Sequence, residues 1–195
     1  VTPATAKLSG RVAGLSPDKN SRVYFVSGGS EAVETALKMA KNYHKNNGEG
    51  TRWKVISRRG SYHGSTVACM SLGGTAPPNF GPLMPGNIHV AQPREYRCNF
   101  CSDRGGCNLE CARDVDRAIE HERPSSVAAF IGEPISQASG IHVPHPEYWP
   151  TIREICDKHG VILICDEVIT GFGRTGKMFA TEHWGIVPDL FPVSQ

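Results

Sequence analysis

Two acidic residues follow directly after apolar runs that have the pattern of buried strands. Asp166 follows residues 161–165, and Glu133 follows residues 127–132 and precedes Pro134. The first run is short, rich in β-branched residues and free of polar side chains, as expected of a strand buried on both faces. Burying an unpaired carboxylate costs free energy, so each acid is expected to face a cation or to lie in solvent. Two strands that both end in an acid favour a common site over two solvated loops.

The sequence SGGS at residues 27–30 could hold a phosphate group. It lies between an apolar run and a helical pattern. The first turn of a helix has unpaired N–H groups and the positive end of the helix dipole. The glycines permit close approach of the backbone to an anion, and the hydroxyl of Ser30 adds a donor. The alternative is an ordinary helix cap made by Ser30, with Glu31 in the first turn.

Tyr62 and His63 follow another strand pattern, KVIS at residues 54–57. An aromatic side chain at the carboxyl end of a strand can cover the face of a flat ligand, because α/β sheets bind ligands at that edge. The alternative for Tyr62 is half-buried packing. For His63 the alternative is a structural role.

Four of the seven cysteines lie close together in sequence. Cys98 and Cys101 form a C-x-x-C pair, Cys107 and Cys111 form a C-x-x-x-C pair, and five residues separate the pairs. This spacing is within reach of a tetrahedral zinc site. The alternative is a reduced, partly buried cysteine loop, and we expect no metal there, with zinc as the secondary hypothesis.

The segment GFGRTGK at residues 171–177 fits the phosphate loop of nucleotide hydrolases, G-x-x-x-x-G-K, with Lys177 as its lysine. However, Met178 stands where a Ser or Thr would reach magnesium. The glycines also start five residues after Asp166 rather than at the end of the strand. We therefore rank a nucleotide hydrolase below the other hypotheses.

Composition excludes several classes of function. A net charge of +2 on 195 residues provides no basic field for nucleic acid or for an anionic membrane. The apolar runs are far shorter than the roughly 20 residues that span a bilayer. The start has no signal-peptide pattern and the cysteine count is odd, so we expect a soluble protein of the reducing cytoplasm. The last residues follow directly on a strand pattern, and we expect a piece of a longer protein.

Strand and helix patterns alternate along the chain, which favours an α/β layered sheet with crossover helices. A loop-rich stretch at residues 73–93 contains the short apolar run IHVA. The patterns predict strands at residues 22–26, 54–57, 127–134, 161–165 and near the end, and helices at 31–44, 112–122 and 148–159.

Taken together, VSGGSEAVETALK, SYHGST, GEPI and ICDEVITGFGRTGK resemble the large domain of class-III, fold-type-I aminotransferases, which use pyridoxal phosphate. The resemblance runs from about Ser21 to the last residue. It implies a three-layer α/β large domain with a mainly parallel sheet, incomplete over residues 1–195. Residues 98–111 would be a cysteine-rich insertion, and the small domain and the downstream part of the large domain would be absent.

The resemblance assigns the acidic residues to the cofactor ring. Asp166 matches the acid that faces the pyridine nitrogen, so the cation sought above would be a pyridinium. A protonated ring is the better electron sink for a substrate carbanion. Glu133 matches an acid that positions the ring and its aspartate. His63 belongs to the same motif as Gly64, with a role nearer support than chemistry.

The remaining cofactor contacts also follow from the resemblance. Gly29 and Ser30 match the phosphate-binding turn, Tyr62 matches the aromatic that stacks on one ring face, and Val168 matches the aliphatic on the other. Ala138 and Ile169 replace a glutamate and a glutamine of the ornithine and γ-aminobutyrate enzymes. Both changes make the chain more similar to the ω-amino acid:pyruvate branch.

The resemblance implies transfer of an amino group from an amine or ω-amino acid to a keto acid such as pyruvate, in a full-length homodimer. A racemase or mutase on the same scaffold is the nearest alternative enzyme. A zinc-stabilised interaction module without catalysis is the alternative from another class.

The last residue stands at a position of special interest. In the family, the sixth residue after the Asp of a Pro-Asp pair is the lysine that forms the Schiff base with the cofactor. Counting from Asp189, that residue is Gln195. An amide is neither a nucleophile nor a base. We expect the chain as given to be inactive as an aminotransferase, and a truncated or misread end is favoured over a lysine-less pseudoenzyme.

Overall fold

The computed structural model describes residues 2–74, 80–94, 96, 98, 100–101 and 106–194. Its centre is a sheet of four parallel strands in the order β2-β1-β3-β4. The strands are β1 Lys54–Arg58, β2 Asn87–Val90, β3 Val127–Gly132 and β4 Ile162–Cys165. Strands β1, β3 and β4 confirm the sequence prediction, and the short run IHVA forms β2.

The described chain has five α-helices, of which α2, α3, α4 and α5 pack against the sheet. Three of them confirm predicted helices to within two residues at each end, while α1 and α3 were not predicted. No helix among the described residues has both the length and the apolar character needed to cross a membrane. The helices are α1 Pro3–Leu15, α2 Gly29–Asn46, α3 Val67–Gly73, α4 Glu110–Glu122 and α5 Tyr148–His159, and 3₁₀ helices lie at Pro124–Ser126 and Ala180–His183.

The sheet separates two apolar cores, one on each face. Successive side chains of a strand point to opposite faces. In β3, Ala129 and Ile131 therefore pack with the buried residues of α2 and α3, whereas Phe130 packs with those of α4 and α5. All six residues of β3 are buried, as expected of a central parallel strand. The expectation of an α/β three-layer fold with a mainly parallel sheet is confirmed.

The prediction of a strand at residues 22–26 is wrong. This segment has no regular secondary structure, and Tyr24 and Phe25 are exposed. β-Branched and aromatic residues form a strand only where a neighbouring strand supplies packing and ladder bonds. None of the four described strands pairs with this segment.

The expected strand near the end forms only in part. Residues Leu190 and Val193 make isolated parallel bridges to Ile164 and Glu167. The backbone N–H of Cys165 donates to the carbonyl of Leu190 at 3.0 Å. This segment therefore extends the sheet beside β4. Gln195 lies outside the described residues.

Candidate active site

A cavity of about 220 Å³ opens at the carboxyl ends of β1, β3 and β4. Ligands bind at this edge in open α/β sheets. The structure brings together here all the residues that the sequence nominated for binding the cofactor, although they come from four separate segments. The lining residues are Gly29, Ser30, Tyr62, His63, Gly64, Glu133, Ile135, Asp166, Val168, Ile169 and Thr170.

Asp166 is the buried acid of this cavity. It follows β4 directly, and its backbone N–H donates to the carbonyl of Gly132 at 2.9 Å, which aligns it with the end of β3. Its Oδ1 accepts the backbone N–H of Val168 at 3.1 Å, and its Oδ2 lies 2.6 Å from Nδ1 of His63. Within the described part of the chain, His63 is the one basic side chain at ion-pair distance. The carboxylate is therefore held in a fixed orientation at the wall of the cavity.

His63 is buried beneath the same wall. Its Nδ1 pairs with Asp166, whereas its Nε2 has no hydrogen-bond partner among the described residues. A buried polar atom without a partner costs free energy, and such atoms are rare unless a ligand or water completes them. His63 and Asp166 are 103 residues apart in sequence, so the pair exists only in the folded chain.

Glu133 differs from Asp166 in having a full cation beside it. Its Oε2 lies 3.7 Å from the guanidinium of Arg58 and accepts the hydroxyl of Ser136 at 3.0 Å. Arg58 also donates to the backbone carbonyl of Glu133 and lies over the ring of Trp149, 5.6 Å from its centroid. Sequence reasoning missed Arg58, whose signal was a cation at the end of the run KVISR. The structure therefore supplies the cation for Glu133 internally.

The turn before α2 has an open helix N-terminus. The N-cap is Gly28, with no side-chain capping bond, so the alternative of Ser30 as the cap is wrong. Ser30 lies in the first turn, and its Oγ accepts the backbone N–H of Ser65 at 3.1 Å. A Cβ on Gly64 would lie 2.4 Å from that Oγ, and the φ of Gly64 is +129°. Glycine at this position lets the segment after β1 contact the start of α2.

Tyr62 and Val168 bound the cavity from two different segments. The ring of Tyr62 is 49% exposed, and its hydroxyl lies 3.1 Å from the hydroxyl of Ser65. Val168 approaches the start of α2 so closely that a Cβ on Gly29 would lie 3.0 Å from its Cγ1. An exposure of about one half leaves part of Tyr62 free to contact a ligand and also fits the alternative of half-buried packing.

The model of the family "Aminotransferase class-III" matches residues 2–195. The chain belongs to the class-III aminotransferase family. Members of this class depend in general on pyridoxal phosphate, as the resemblance implied. Membership of an aminotransferase family favours an enzyme over the alternative of a zinc-stabilised module without catalysis.

Among the class-III relatives, the chain is 40% identical over 195 residues to a putrescine–pyruvate aminotransferase of Pseudomonas aeruginosa, covering 99% of the chain and 43% of that protein. It is 39% identical to an omega-aminotransferase of Caulobacter vibrioides, covering 96% of the chain and 44% of that protein. A crystal structure of an amine transaminase from an uncultivated Pseudomonas species, in its PLP-bound form, superposes with a TM-score of 0.92 at 40% identity. That match covers 98% of the chain and 44% of the other protein. The chain therefore spans less than half the length of these relatives.

Glu167, next to Asp166, anchors the glycine-rich loop of this class-III chain, residues 171–177. It is fully buried and lines no part of the cavity. Its carboxylate accepts the hydroxyl of Thr170 at 2.5 Å and the backbone N–H groups of Ala180 and Thr181 at 3.0 and 2.9 Å. The loop between these contacts ends at a 3₁₀ helix of four residues. A nucleotide-binding phosphate loop needs the N-terminus of an α-helix there, so the structure gives that hypothesis no support.

Proposed function

We propose that this chain is the cofactor-binding part of a pyridoxal-phosphate-dependent transaminase. In its full-length form the protein would move an amino group from an amine or ω-amino acid to a keto acid such as pyruvate. The observation that carries the proposal is the buried carboxylate of Asp166, which faces the cavity without a lysine or arginine beside it in the described chain. A cationic ring nitrogen would complete it.

The start of α2 fits the phosphate group of this cofactor. Gly28 leaves the first N–H groups of the helix without a side-chain cap, and Gly29 has no side chain between them and the cavity. These donors and the positive end of the helix dipole favour a dianion. The hydroxyl of Ser30 can donate to the anion while its oxygen continues to accept the N–H of Ser65. Ser30 would therefore hold the phosphate against the helix.

Asp166 and His63 fit the nitrogen side of the ring. When bound, pyridoxal phosphate supplies an electron sink for the electrons that remain after the substrate loses its α-proton. The Asp166 carboxylate would keep a proton on the ring nitrogen, because the attraction between them is lost once that proton leaves. Its orientation is fixed in advance by His63 and by the N–H of Val168. His63 thus acts as a positioning residue for Asp166.

Tyr62 and Val168 fit the two faces of a flat ring. The exposed aromatic ring of Tyr62 would stack on one face, and the aliphatic side chain of Val168 would pack on the other. Glu133, held by Arg58, would position the ring and its aspartate rather than exchange protons. These contacts restrict the ring to one plane, which is what the pairing with Asp166 requires.

The choice of donor and acceptor rests on the relatives and on two residues. The relatives above are named for putrescine, pyruvate and ω-amino compounds. Ile169 lines the cavity where the ornithine and γ-aminobutyrate enzymes have a glutamine, and Ala138 replaces their second glutamate. Both changes favour a pyruvate-using transaminase.

A cytoplasmic homodimer is part of the proposal, and the seven free thiols fit a reducing compartment.

The chain as given would be inactive by itself. Gln195 occupies the position of the Schiff-base lysine, and its amide can neither attack a carbonyl nor accept a proton. The phosphate turn and the pyridinium acid are independent of that residue. We therefore infer that this chain binds the cofactor without a covalent bond, and that the full-length gene has a lysine at this position.

The test uses the full-length protein with pyridoxal phosphate. Purified protein is incubated with putrescine or β-alanine, with and without pyruvate, and both loss of the amine and formation of alanine are measured. Equal amounts of amine lost and alanine formed, strictly dependent on pyruvate, are the expected result. Turnover of the amine without a keto acid would indicate a racemase or mutase, and absence of cofactor absorbance after titration would refute the proposal.

A further inference from the structure

A chain of polar contacts connects the partly exposed Ser139 to the buried guanidinium of Arg58. The hydroxyl of Ser139 lies 2.9 Å from that of Ser136, and the Ser136 hydroxyl donates to Oε2 of Glu133 at 3.0 Å. The same Oε2 lies 3.7 Å from the guanidinium of Arg58. Because an ionised carboxylate can only accept, the proton of Ser136 points to Glu133, and the Ser136 oxygen is left to accept from Ser139. The direction of each hydrogen bond in this chain is therefore fixed.

Both carboxylate oxygens of Glu133 bond to the turn that follows it. Oε2 accepts the hydroxyl of Ser136, and Oε1 accepts the backbone N–H of Gln137 at 3.4 Å. Ser136 is fully buried. A buried hydroxyl costs free energy unless its hydrogen bonds are made, and here a charged acceptor makes the stronger kind of bond. The conformation of residues 133–137 therefore depends on the Glu133 carboxylate.

This turn carries part of the cavity wall. Ile135 lies between Glu133 and Ser136 in the sequence, and both Glu133 and Ile135 line the cavity. Ser136 itself does not line it. Because Ile135 is joined to a fixed residue on each side, its position at the wall follows from the bond between Ser136 and Glu133.

Ser136 also closes a hairpin over residues 136–142. Its backbone N–H donates to the carbonyl of His142 at 3.1 Å, and the N–H of His142 donates back at 2.8 Å. The hairpin lies against the segment after β1, because a Cβ on Gly60 would lie 3.8 Å from the Cβ of Ser139. A shift of Ser136 would therefore move the cavity wall and the hairpin together.

Arg58 is kept in the core although its hydrogen bonds are incomplete. It is fully buried, and its Nε and Nη1 have no hydrogen-bond partner in the part of the chain that the structure describes. Within that part, its side chain donates to the carbonyl of Glu133 and pairs with the carboxylate of the same residue. Well-packed apolar residues are often as stable as a buried ion pair, so stability alone does not account for the guanidinium. Its contacts point to Glu133 as the reason for its presence.

We propose that Ser136 is a positioning residue for the cofactor cavity. With Arg58 as the fixed cation, its hydroxyl sets the Glu133 carboxylate and, through the turn, the wall at Ile135. Neither Ser136 nor Arg58 lines the cavity, so both act through Glu133 rather than on the reacting atoms. The inference rests on the proposed function, because the wall has to fit the ring of pyridoxal phosphate.

The first test compares Ser136→Ala with Ser57→Ala in the full-length protein. Ser57 is the matched control, since it is also fully buried and its hydroxyl donates to a backbone carbonyl, that of Leu72, at 2.6 Å. We expect the dissociation constant of pyridoxal phosphate to rise about 5-fold to 20-fold in Ser136→Ala and less than about 2-fold in Ser57→Ala, because only the first variant removes a bond to a charged group that lines the cavity. Equal dissociation constants for the two variants would overturn the inference.

The second test compares Arg58→Lys with Arg58→Met by the same titration. Lysine keeps the positive charge beside Glu133 and methionine does not, so Arg58→Lys should bind pyridoxal phosphate at least about 5-fold more tightly than Arg58→Met. Equal affinity would contradict the role of the cation. The serine and arginine pairs are independent, so one pair decides if a variant of the other does not fold.

Hydrogen exchange of the cofactor-free protein tests the network without the cofactor. Peptides that cover residues 133–142 should exchange faster in Ser136→Ala than in the wild type, since local opening of the hairpin becomes easier, and should be unchanged in Ser57→Ala. Unchanged exchange in Ser136→Ala would refute the positioning role whether or not the cofactor binds. Wild-type protein that does not bind pyridoxal phosphate, with the expected exchange, would instead refute the proposed function together with the role of Ser136 in it.

Discussion

Replacing Asp166 by Asn tests the centre of the proposed function. The substitution keeps the shape of the side chain and removes its charge. A carboxylate about 3 Å from a protonated ring nitrogen gains roughly 5 kcal/mol at an effective dielectric near 20, before the cost of desolvation. Because desolvation and the His63 contact at 2.6 Å offset part of this gain, we expect a net loss of about 2–4 kcal/mol of transition-state stabilisation.

This loss converts to a fall of about 30-fold to 1,000-fold in kcat/KM. The assay is pyruvate-dependent amine consumption by the full-length protein, with cofactor occupancy measured on the same sample. The phosphate turn is unchanged, so the cofactor should remain bound. A variant that retains its cofactor and loses less than about 5-fold in kcat/KM would refute the role of Asp166.

Glu167→Gln is the matched control, because it changes the next residue in the same way. Its carboxylate accepts three hydrogen bonds that fix the glycine-rich loop. An amide can keep only part of them, so we expect the free energy of unfolding to fall by about 2–4 kcal/mol. Turnover of the folded fraction should stay within about 5-fold of the wild type. Denaturant unfolding and kcat are measured for both variants. Together they distinguish an effect of the charge at the cofactor ring from an effect on the stability of the loop.

Three further predictions concern single residues. Tyr62→Ala should weaken cofactor affinity more than kcat, since stacking supplies binding area; equal affinity in a cofactor titration would return Tyr62 to a structural role. Gly64→Ala should lower the free energy of unfolding by about 1–3 kcal/mol, because the φ of Gly64 is positive and an added Cβ would clash with Ser30. Gly10→Ala is the control and should not destabilise the fold, since there is open space around Gly10. Equal unfolding midpoints of the two variants would contradict this. Borohydride reduction of the chain as given with pyridoxal phosphate should label no single site, and specific labelling would contradict the assignment of Gln195.

The hydrophobic periodicity of the sequence predicted most of the helices and strands. It could do so because burial in a layered fold determines both the spacing of the apolar residues and the type of element that they form. An entirely apolar run such as residues 127–132 can only be a central strand or a buried helix, and its length decides for the strand. The helix at residues 29–46 has its buried residues on one face, as the spacing required. Residues 22–26 show the limit of this reasoning, since a strand-like composition does not supply a pairing partner. The short helix α3 was not predicted, because glycine and proline dominate the sequence near it.

The two acids at the strand ends show why the residue pattern alone could locate the site but could not tell its two acids apart without the family resemblance. Both follow buried strands, and nothing local distinguishes them. The sheet order does, because β1 is a neighbour of β3 but is separated from β4 by β3. Arg58 ends β1 and reaches Glu133 across Gly132, where a Cβ would lie only 3.2 Å from the guanidinium carbon. Asp166 lies one strand further, at a spacing of about 4.8 Å per strand. The guanidinium satisfies one acid, and the other remains available to a cationic ligand.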